Sequence, residues 1–153
     1  MIATALPPVV PGQWLVYVDG AARGNPGPAA AGICLVDPEG RPIRRIGKTL
    51  GRLPNNQAEY QALLIALDLA ASHAPPSLLV RMDSELVVRQ MTGRYRVKDP
   101  VLQRLHARAE AMIRTIGTVR FEHVPRSLNA EADRLANLAL DGKPVDEAGP
   151  EGD

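Results

Sequence analysis

The order of apolar segments and turn residues limits the fold of this chain more than any other feature of its sequence. Segments 14–19 "WLVYVD", 29–36 "AAAGICLV" and 41–50 "RPIRRIGKTL" have strand length and are separated only by short stretches rich in Gly, Pro and Asn. Strands joined by such short connections must run antiparallel. In "DPEG", Pro38 and Gly40 take positions two and four of a type I turn, which predicts a hairpin.

The second half of the chain alternates between helices and strands. Segment 57–71 is apolar nearly all round, which predicts a helix buried on most sides. There follow a strand at 75–83, helices at 84–92 and 101–116, a strand at 118–124 and a helix that opens at Asn129. A strand reached through a helix is normally parallel to an earlier strand. The sequence therefore predicts an α/β fold with a mixed five-stranded sheet, three antiparallel strands and then two parallel ones, flanked by helices.

Length and composition indicate one folded domain. The chain has 153 residues with 45% apolar content, enough to bury a core without crosslinks. Its single cysteine, Cys34, excludes an internal disulfide, and no apolar run is long enough to cross a membrane. The first residues also lack the pattern of a signal peptide. We therefore expect a cytoplasmic monomer with an N-terminal extension at 1–12, a domain at 13–141 and a flexible acidic tail or linker at 142–153.

Four acidic side chains fall at the ends of predicted elements. Asp19 ends the first strand and Asp83 the fourth, and parallel neighbouring strands would bring both to the edge where open α/β sheets bind ligands. Glu59 and Asp133 fall in the first turns of two helices. Each acid has a structural alternative. Glu59 could form a capping box with Asn56. Asp83 could cap the next helix, and Asp133 could oppose a helix dipole.

Taken together, the four acids favour a metal site over these alternatives. An unpaired charge at the end of a buried strand is expensive, and a second buried strand repeats the arrangement. Clustered carboxylates repel one another unless a cation lies between them. A site with oxygen ligands and without Cys or His selects Mg²⁺ or Mn²⁺. Such a site has the ingredients of a two-metal centre that cleaves phosphodiesters.

Four motifs of the chain resemble those of type I ribonuclease H, in the compact form common in archaea and actinobacteria. They are "YVDGAARGNPGPAAAG", "NNQAEYQAL", "MDSELVVRQ" and "VPRSLNAEADRLAN", in the family's order and spacing from about residue 15 to 140. The resemblance implies a ribonuclease H-like catalytic domain that hydrolyses the RNA strand of RNA–DNA hybrids and leaves 5′-phosphate and 3′-hydroxyl ends. It assigns catalysis and the binding of two Mg²⁺ ions, for which Mn²⁺ would substitute, to Asp19, Glu59, Asp83 and Asp133.

The resemblance also implies contacts with the substrate. Small residues after the first acid let a nucleic-acid backbone approach, and amide side chains can bond base edges and 2′-hydroxyls in a minor groove. Arg126 stands near the place of a loop histidine found in many members, where it would contact a phosphate or the departing product. The expected substrate-binding residues are Gly20, Asn25, Asn56, Gln57, Arg126 and Asn129. Turn and cap asparagines and an exposed loop arginine are the alternative interpretation.

Two departures from the family pattern concern substrate binding. Pro54 replaces a threonine that serves a pocket for a DNA-strand phosphate, and it offers neither a hydroxyl nor a backbone donor. The long basic protrusion of some relatives is missing, and "TGRYRVKDP" at 92–100 takes its place, either as a phosphate contact or as a solvated loop. Two alternatives to a free-standing enzyme also stay open. One is a binding module without catalysis, and the other is the nuclease domain of a longer chain with a covalently linked second domain.

Overall fold

The fold was analysed in a computed structural model, which describes residues 11–149. The elements in this range are β1 (Gln13–Ala22), β2 (Gly27–Val36), β3 (Pro42–Leu53), α1 (Asn55–Ala71), β4 (Ser77–Met82), α2 (Glu85–Met91), α3 (Pro100–Ile116), β5 (Val119–His123), a short 3-10 helix (Arg126–Leu128), α4 (Ala130–Leu140) and β6 (Val145–Ala148). None of the helices in this range is both long and apolar enough to cross a membrane.

The strands form one mixed sheet in the order β5-β4-β1-β2-β3-β6. β1, β2 and β3 pair antiparallel, β4 lies parallel to β1, and β5 lies parallel to β4. In the hairpin turn between β2 and β3, the backbone N–H of Gly40 donates to the carbonyl of Asp37 at 2.9 Å. The predicted hairpin and the predicted arrangement of three antiparallel and two parallel strands are therefore confirmed.

The sheet differs from the prediction by one additional strand. β6 pairs antiparallel with β3, from Gly47 opposite Val145 to Arg44 opposite Ala148. The expectation of a flexible tail from residue 142 is therefore wrong for this segment. The strand satisfies backbone groups that β3 would otherwise leave unpaired at a sheet edge, and Arg44 donates to the Asp146 carboxylate at 2.5 Å. Its polar sequence carries no strand periodicity, so the pattern did not reveal it.

The predicted boundaries at 12–13 and 141–142 stay predictions, because much of both flanking segments lies outside the described residues. Residues 1–10, expected to be an extension, and residues 150–153, expected to belong to the tail, are not covered. Inside the described range, β6 belongs to the same sheet as the rest of the fold. The segment from 142 to 149 is thus structurally continuous with the domain.

The main core lies between one face of the sheet and the helices α1 and α3. Its fully buried large side chains include Val16, Val18, Ile33, Leu35, Tyr60, Leu63, Leu67, Leu78 and Val80. α1 is buried nearly all round because it packs on β1 and β2 and is covered in turn by α3. α4 lies on the opposite face, across β2 and β3. Helices on both faces complete the α/β architecture that the sequence predicts.

Glycines at two points bring helices unusually close to the sheet. A β-carbon at Gly32 of β2 would overlap the backbone carbonyl of Ala132 in α4. On the other face, a β-carbon at Gly20 of β1 would overlap the carbonyl of Ala58 in α1. Because these contacts involve backbone rather than flexible side chains, the helices cannot retreat easily. The two glycines therefore set the distance between the sheet and the first turns of α1 and α4.

The close approach at Gly32 predicts a large loss of stability on adding one methyl group. We expect Gly32→Ala to lower the free energy of unfolding by about 3 kcal/mol or more, since overpacking against backbone forces α4 away from the sheet. Urea denaturation followed by circular dichroism measures the change. Thr49→Ala, at an exposed position of β3, is the matched control and should change stability by less than about 0.5 kcal/mol. Equal stability of the two variants would contradict the packing described here.

Candidate active site

The four acids singled out in the sequence line one pocket at the edge of the sheet. β1 and β4 run side by side until Val18 faces Met82, so the next residues, Asp19 and Asp83, leave this pairing together. The pocket has a volume of about 300 Å³. Its lining comprises Asp19, Gly20, Ala21, Ala22, Asn55, Glu59, Asp83, His123, Val124, Pro125, Arg126 and Asp133.

The first acid does not end its strand as the sequence suggested. β1 continues to Ala22, because Asp19 to Ala22 keep their antiparallel pairing with β2. Only the pairing with β4 stops at Val18. Asp19 is therefore held within a strand on one side while its other side opens into the pocket. This placement makes its backbone more rigid than a loop position would.

Asp19 is the most buried of the four acids, with 7% of its surface exposed. No lysine, arginine or histidine forms an ion pair with it within residues 11–149. Burial, and then the charges of Asp83 and Asp133, raise its pKa to about 7. Hydrogen bonding with the Asp133 carboxylate and the charge of Glu59 also raise the pKa of Asp19, by smaller amounts. The position thus carries negative charge that the protein itself does not neutralise.

Glu59 enters the pocket from the start of the second turn of α1, and not from the first turn as the sequence suggested, because the helix begins at Asn55. Burial raises its pKa to about 7, and the charge of Asp83 adds to this, although a hydrogen bond from the Ser84 hydroxyl acts in the opposite direction. That bond joins Ser84 Oγ to Glu59 Oε1 over 2.9 Å. It fixes one carboxylate oxygen of Glu59 and leaves the other for a ligand.

The helix ends decide between the functional and the structural interpretations of two acids. The N-cap of α1 is Pro54, without a capping side chain, so Glu59 and Asn56 form no capping box. The N-cap of α2 is Ser84, whose side chain accepts a hydrogen bond from the Val87 backbone at 3.2 Å. Asp83 therefore does not cap this helix. For these two acids the capping explanations are wrong.

Asp133 lies in the first turn of α4, where its charge also opposes the helix dipole. Asn137, one turn later, donates to the Asp133 carboxylate oxygen Oδ1 over 3.3 Å. The dipole interpretation and a role in the pocket are compatible here. A residue at this position is stabilised by the helix and still presents its carboxylate to Asp19 across the pocket.

Within the described part of the chain, Asp83 is the only one of the four acids that forms an ion pair, and its partner is Arg126. Burial raises the pKa of Asp83 and the charge of Asp133 adds to this, whereas Arg126 and His123 act against both. The separation between Arg126 Nε and Asp83 Oδ2 is 3.9 Å, and the Arg126 side chain is 85% exposed. Such a long contact on an exposed side chain is weak, so Arg126 can also turn towards a ligand.

The residues of the pocket fit an oxygen-preferring divalent cation. Their donors are carboxylates, and the raised pKa values of Asp19, Glu59 and Asp83 reflect negative charge in excess. Within residues 11–149 no group of three or more such side chains is already arranged to hold a metal ion. In this arrangement Glu59 accepts a hydrogen bond from Ser84, and Asp83 lies beside Arg126. A cation would draw the four carboxylates together.

Three of the expected substrate-binding residues, Asn25, Asn56 and Gln57, do not line the pocket. Asn25 is exposed between β1 and β2, and its side-chain oxygen accepts a hydrogen bond from the Asn55 backbone at 3.0 Å. Asn56 is exposed and Gln57 half-buried, and neither lines the pocket. Asn55 does line it. Asn55 was not among the residues predicted from the sequence, although its spacing of four from Glu59 places both on one helix face.

Asn129 lies too deep for the substrate contact expected from the sequence. Only 1% of its surface is exposed, and its side-chain nitrogen donates to the Val18 carbonyl at 2.9 Å. Because Val18 precedes Asp19 and Asn129 precedes α4, this bond ties the strand of one acid to the helix of another. Gly20, by contrast, lines the pocket and packs against α1.

The strand order, the helices on both faces and the four acids beside the central strands define a ribonuclease H-like domain. A family model described as "Reverse transcriptase-like" matches residues 17–139. Ribonuclease HI of Halobacterium salinarum is 46% identical over 130 residues, which are 85% of this chain and 65% of that protein. A bifunctional protein of Mycobacterium tuberculosis is 41% identical over 128 residues, 83% of this chain and 35% of that protein.

Solved structures agree with these relationships. The crystal structure of RNase H1 from Halobacterium salinarum superposes with a TM-score of 0.83 at 46% identity, covering 86% of this chain and 99% of that one. LC11-RNase H1 in complex with RNA/DNA hybrid gives 0.81 at 40% identity, covering 84% and 97%. The chain belongs to the type I ribonuclease H family, which generally depends on divalent metal ions. The chain spans only 65% and 35% of the two curated relatives.

The charge crowded into the pocket predicts a pH-dependent stability. Folding raises the pKa of Asp19 from 3.8 to about 7, so the folded protein holds this proton more tightly than the unfolded chain. Without metal ions, stability should fall as pH rises from about 4 to about 7 and stay low above that. Asp19→Asn removes this ionisation. We expect it to raise the free energy of unfolding at pH 8 by on the order of 2 kcal/mol, with little change at pH 4.

Urea denaturation in the presence of a chelator measures both values. Asp68→Asn, at an exposed position of α1, is the control and should change stability little at either pH. If Asp19→Asn gave the same small change at pH 4 and pH 8, the electrostatic account of the pocket would be refuted.

Proposed function

We propose that this chain is an endonuclease that hydrolyses the RNA strand of RNA–DNA hybrids in a metal-dependent reaction and leaves 5′-phosphate and 3′-hydroxyl ends. The observation that carries the proposal is the convergence of four carboxylates on one pocket, where within residues 11–149 the exposed Arg126, 3.9 Å from Asp83, makes the only ion pair with any of them. The relatives named ribonuclease HI and the LC11-RNase H1 complex with RNA/DNA hybrid support this assignment. A binding module without catalysis would gain from removing acids that face phosphates.

The same four residues would hold two Mg²⁺ ions, with Mn²⁺ as a substitute. In this assignment Asp19 would help to hold both ions, Glu59 and Asp83 would help to hold one of them, and Asp133 would help to hold the other. When bound, such ions lower the pKa of water and stabilise charge on the departing oxygen. The position of Asp19 within β1 would suit this role, because the pairing of its backbone with β2 fixes where the carboxylate begins.

Neighbouring side chains would orient the acids for this chemistry. Ser84 fixes one oxygen of Glu59 by its hydrogen bond, and Asn137 does the same for Asp133. Arg126, exposed at the rim of the pocket, would contact a phosphate of the substrate or the departing product. Ser84 and Asn137 thus reduce the number of conformations that the carboxylates must lose when the substrate binds.

The rim formed by β1, β2 and α1 would receive the minor groove of the hybrid. Asn25 and Asn55 are joined by a hydrogen bond there, and Asn55 accepts a second one from the Ala22 backbone at 3.2 Å. Their free amide groups, together with Asn56 and Gln57, would bond base edges and 2′-hydroxyls, which distinguish RNA from DNA. Gly20 beside the first acid would leave room for the backbone.

We further propose that the catalytic domain, predicted at 13–141 and extended by β6 in the structure, acts as a monomer. The mycobacterial relative is called a bifunctional protein and is longer than this chain, which supports a second, covalently linked domain beyond the segment 142–153 in a longer native protein. In that arrangement the end of β6 would lead into the linker.

Cleavage assays with three labelled substrates test the proposed reaction. We expect the RNA of a hybrid to be cut in Mg²⁺ or Mn²⁺, with far less cleavage of duplex or single-stranded RNA, and a chelator should stop the reaction. Asp19→Asn should fold but lose more than about 10³-fold in kcat, since removal of a single electrostatic stabiliser already costs about 10²–10³. Asp68→Asn serves as the control. Hybrid binding without metal-dependent cleavage would contradict the proposed enzyme and indicate a binding module.

Arg126→Ala separates a role in turnover from a role in affinity. We expect kcat to fall by about tenfold while hybrid affinity changes less, because this side chain, at the rim of the pocket, lies beside Asp83, one of the proposed metal ligands. Steady-state kinetics together with direct binding in chelator provide the two numbers. An equal loss in both would contradict a role in the chemical or release step.

A further inference from the structure

A second pocket lies directly beside the active site. It is formed by the C-terminal ends of α2 and β5, has a volume of about 340 Å³ and is lined by Val88, Arg89, Thr92, Arg94, Phe121 and His123. His123 lines the active-site pocket as well, so one side chain separates the two. We term the second one the α2–β5 pocket.

The α2–β5 pocket is cationic. Two arginines line it, and no acidic side chain of residues 11–149 does so. Arg89 is held by Glu85 at 2.7 Å, and its guanidinium lies over the ring of Tyr95, 5.7 Å from the centroid. Arg94 is exposed and forms no ion pair within the described range. Of the two guanidinium groups, that of Arg94 is therefore available to an anion.

The backbone around Arg94 is fixed rather than loose. The N–H groups of Arg94 and Tyr95 both donate to the carbonyl of Arg89, at 2.8 and 3.0 Å. Inside the domain, Gln90 accepts a hydrogen bond from the Tyr60 hydroxyl at 2.6 Å, which anchors α2 to the helix that carries Glu59. The backbone that carries Arg94 therefore needs little rearrangement when the side chain binds a ligand. The pocket thus keeps its position relative to the catalytic acids.

We propose that the α2–β5 pocket binds a backbone phosphate of the nucleic acid whose scissile phosphate occupies the active site, and that Arg94 makes this contact. This inference rests on the proposed function. A guanidinium fork matches the oxygens of a phosphate, and the shared wall at His123 leaves a short path for a continuous strand between the pockets. Arg94 then acts as a phosphate contact and not as part of a solvated loop.

Salt-dependent binding of a hybrid tests the contact without any need for cleavage. Fluorescence anisotropy in chelator is measured between 50 and 200 mM salt for the intact chain, Arg94→Ala and Arg104→Ala. Arg104 is an exposed arginine of α3 without an ion pair in the described range, so Arg104→Ala removes the same charge as Arg94→Ala but at a different place. We expect Arg94→Ala to weaken binding about fivefold at 0.15 M salt and to reduce the salt slope by about one, with Arg104→Ala near the intact chain.

Two further arms identify the source of the phosphate. In a series of hybrids, each hybrid carries one neutral methylphosphonate linkage at a different position. When the neutral linkage replaces the phosphate that Arg94 contacts, the intact chain and Arg94→Ala should bind that hybrid with equal affinity. Inorganic phosphate at millimolar concentration should compete poorly, because an isolated anion lacks the rest of the strand. Strong competition by inorganic phosphate that depends on Arg94 would instead indicate a site for free phosphate and overturn the backbone contact.

The outcomes separate this inference from the proposed function. If Arg94→Ala and Arg104→Ala bind alike at every salt concentration, the α2–β5 pocket makes no phosphate contact, whether or not the hybrid is cut. If the salt slope changes only for Arg94→Ala but no hybrid is cleaved, the contact stands and the proposed reaction fails. Arg94→Ala could also reduce the salt slope while no single methylphosphonate linkage makes the intact chain and Arg94→Ala bind equally well. That result would overturn the assignment to one backbone phosphate.

Discussion

The parallel pairing of β1 with β4 is the constraint on which the rest of the site depends. Their register ends with Val18 opposite Met82, so two carboxylates leave the same edge of the sheet side by side. The helices that supply the other acids are held against the sheet at Gly20 and Gly32, where there is no room for a β-carbon. A shift of one residue in this register would turn Asp19 to the opposite face. The whole pocket would then be lost.

Gathering four acids in one pocket opposes folding, and the surrounding structure compensates for this. The pKa of Asp19 and that of Glu59 rise to about 7 because burial and neighbouring negative charges favour their protonated forms. The bond from Asn129 to the Val18 carbonyl and the core beneath β1 keep the strand in place despite this repulsion. The crowded charge therefore lowers the stability of the fold, and it suits the proposed binding of a cation at this site.

Several features could be predicted from the sequence because they depend on local patterns. The hairpin follows from "DPEG", and the mixed sheet follows from short connections before α1 and helical ones after it. Other features could not be predicted, because they depend on neighbours distant in the chain. β6 has no strand periodicity and forms because β3 offers an open edge. Asn129 is an N-cap by sequence, yet its side chain reaches back to β1.

The sequence by itself determined the order of the elements from β1 to α4, the family motifs and the choice of the four acids, since each is written in contiguous residues. Only the tertiary structure decided which amides face the pocket, with Asn55 lining it and Asn129 buried beneath it. It also created the α2–β5 pocket, whose walls come from segments about thirty residues apart. Contacts of this kind depend on how elements pack in space. A sequence pattern does not give the distance between residues that are far apart in the chain.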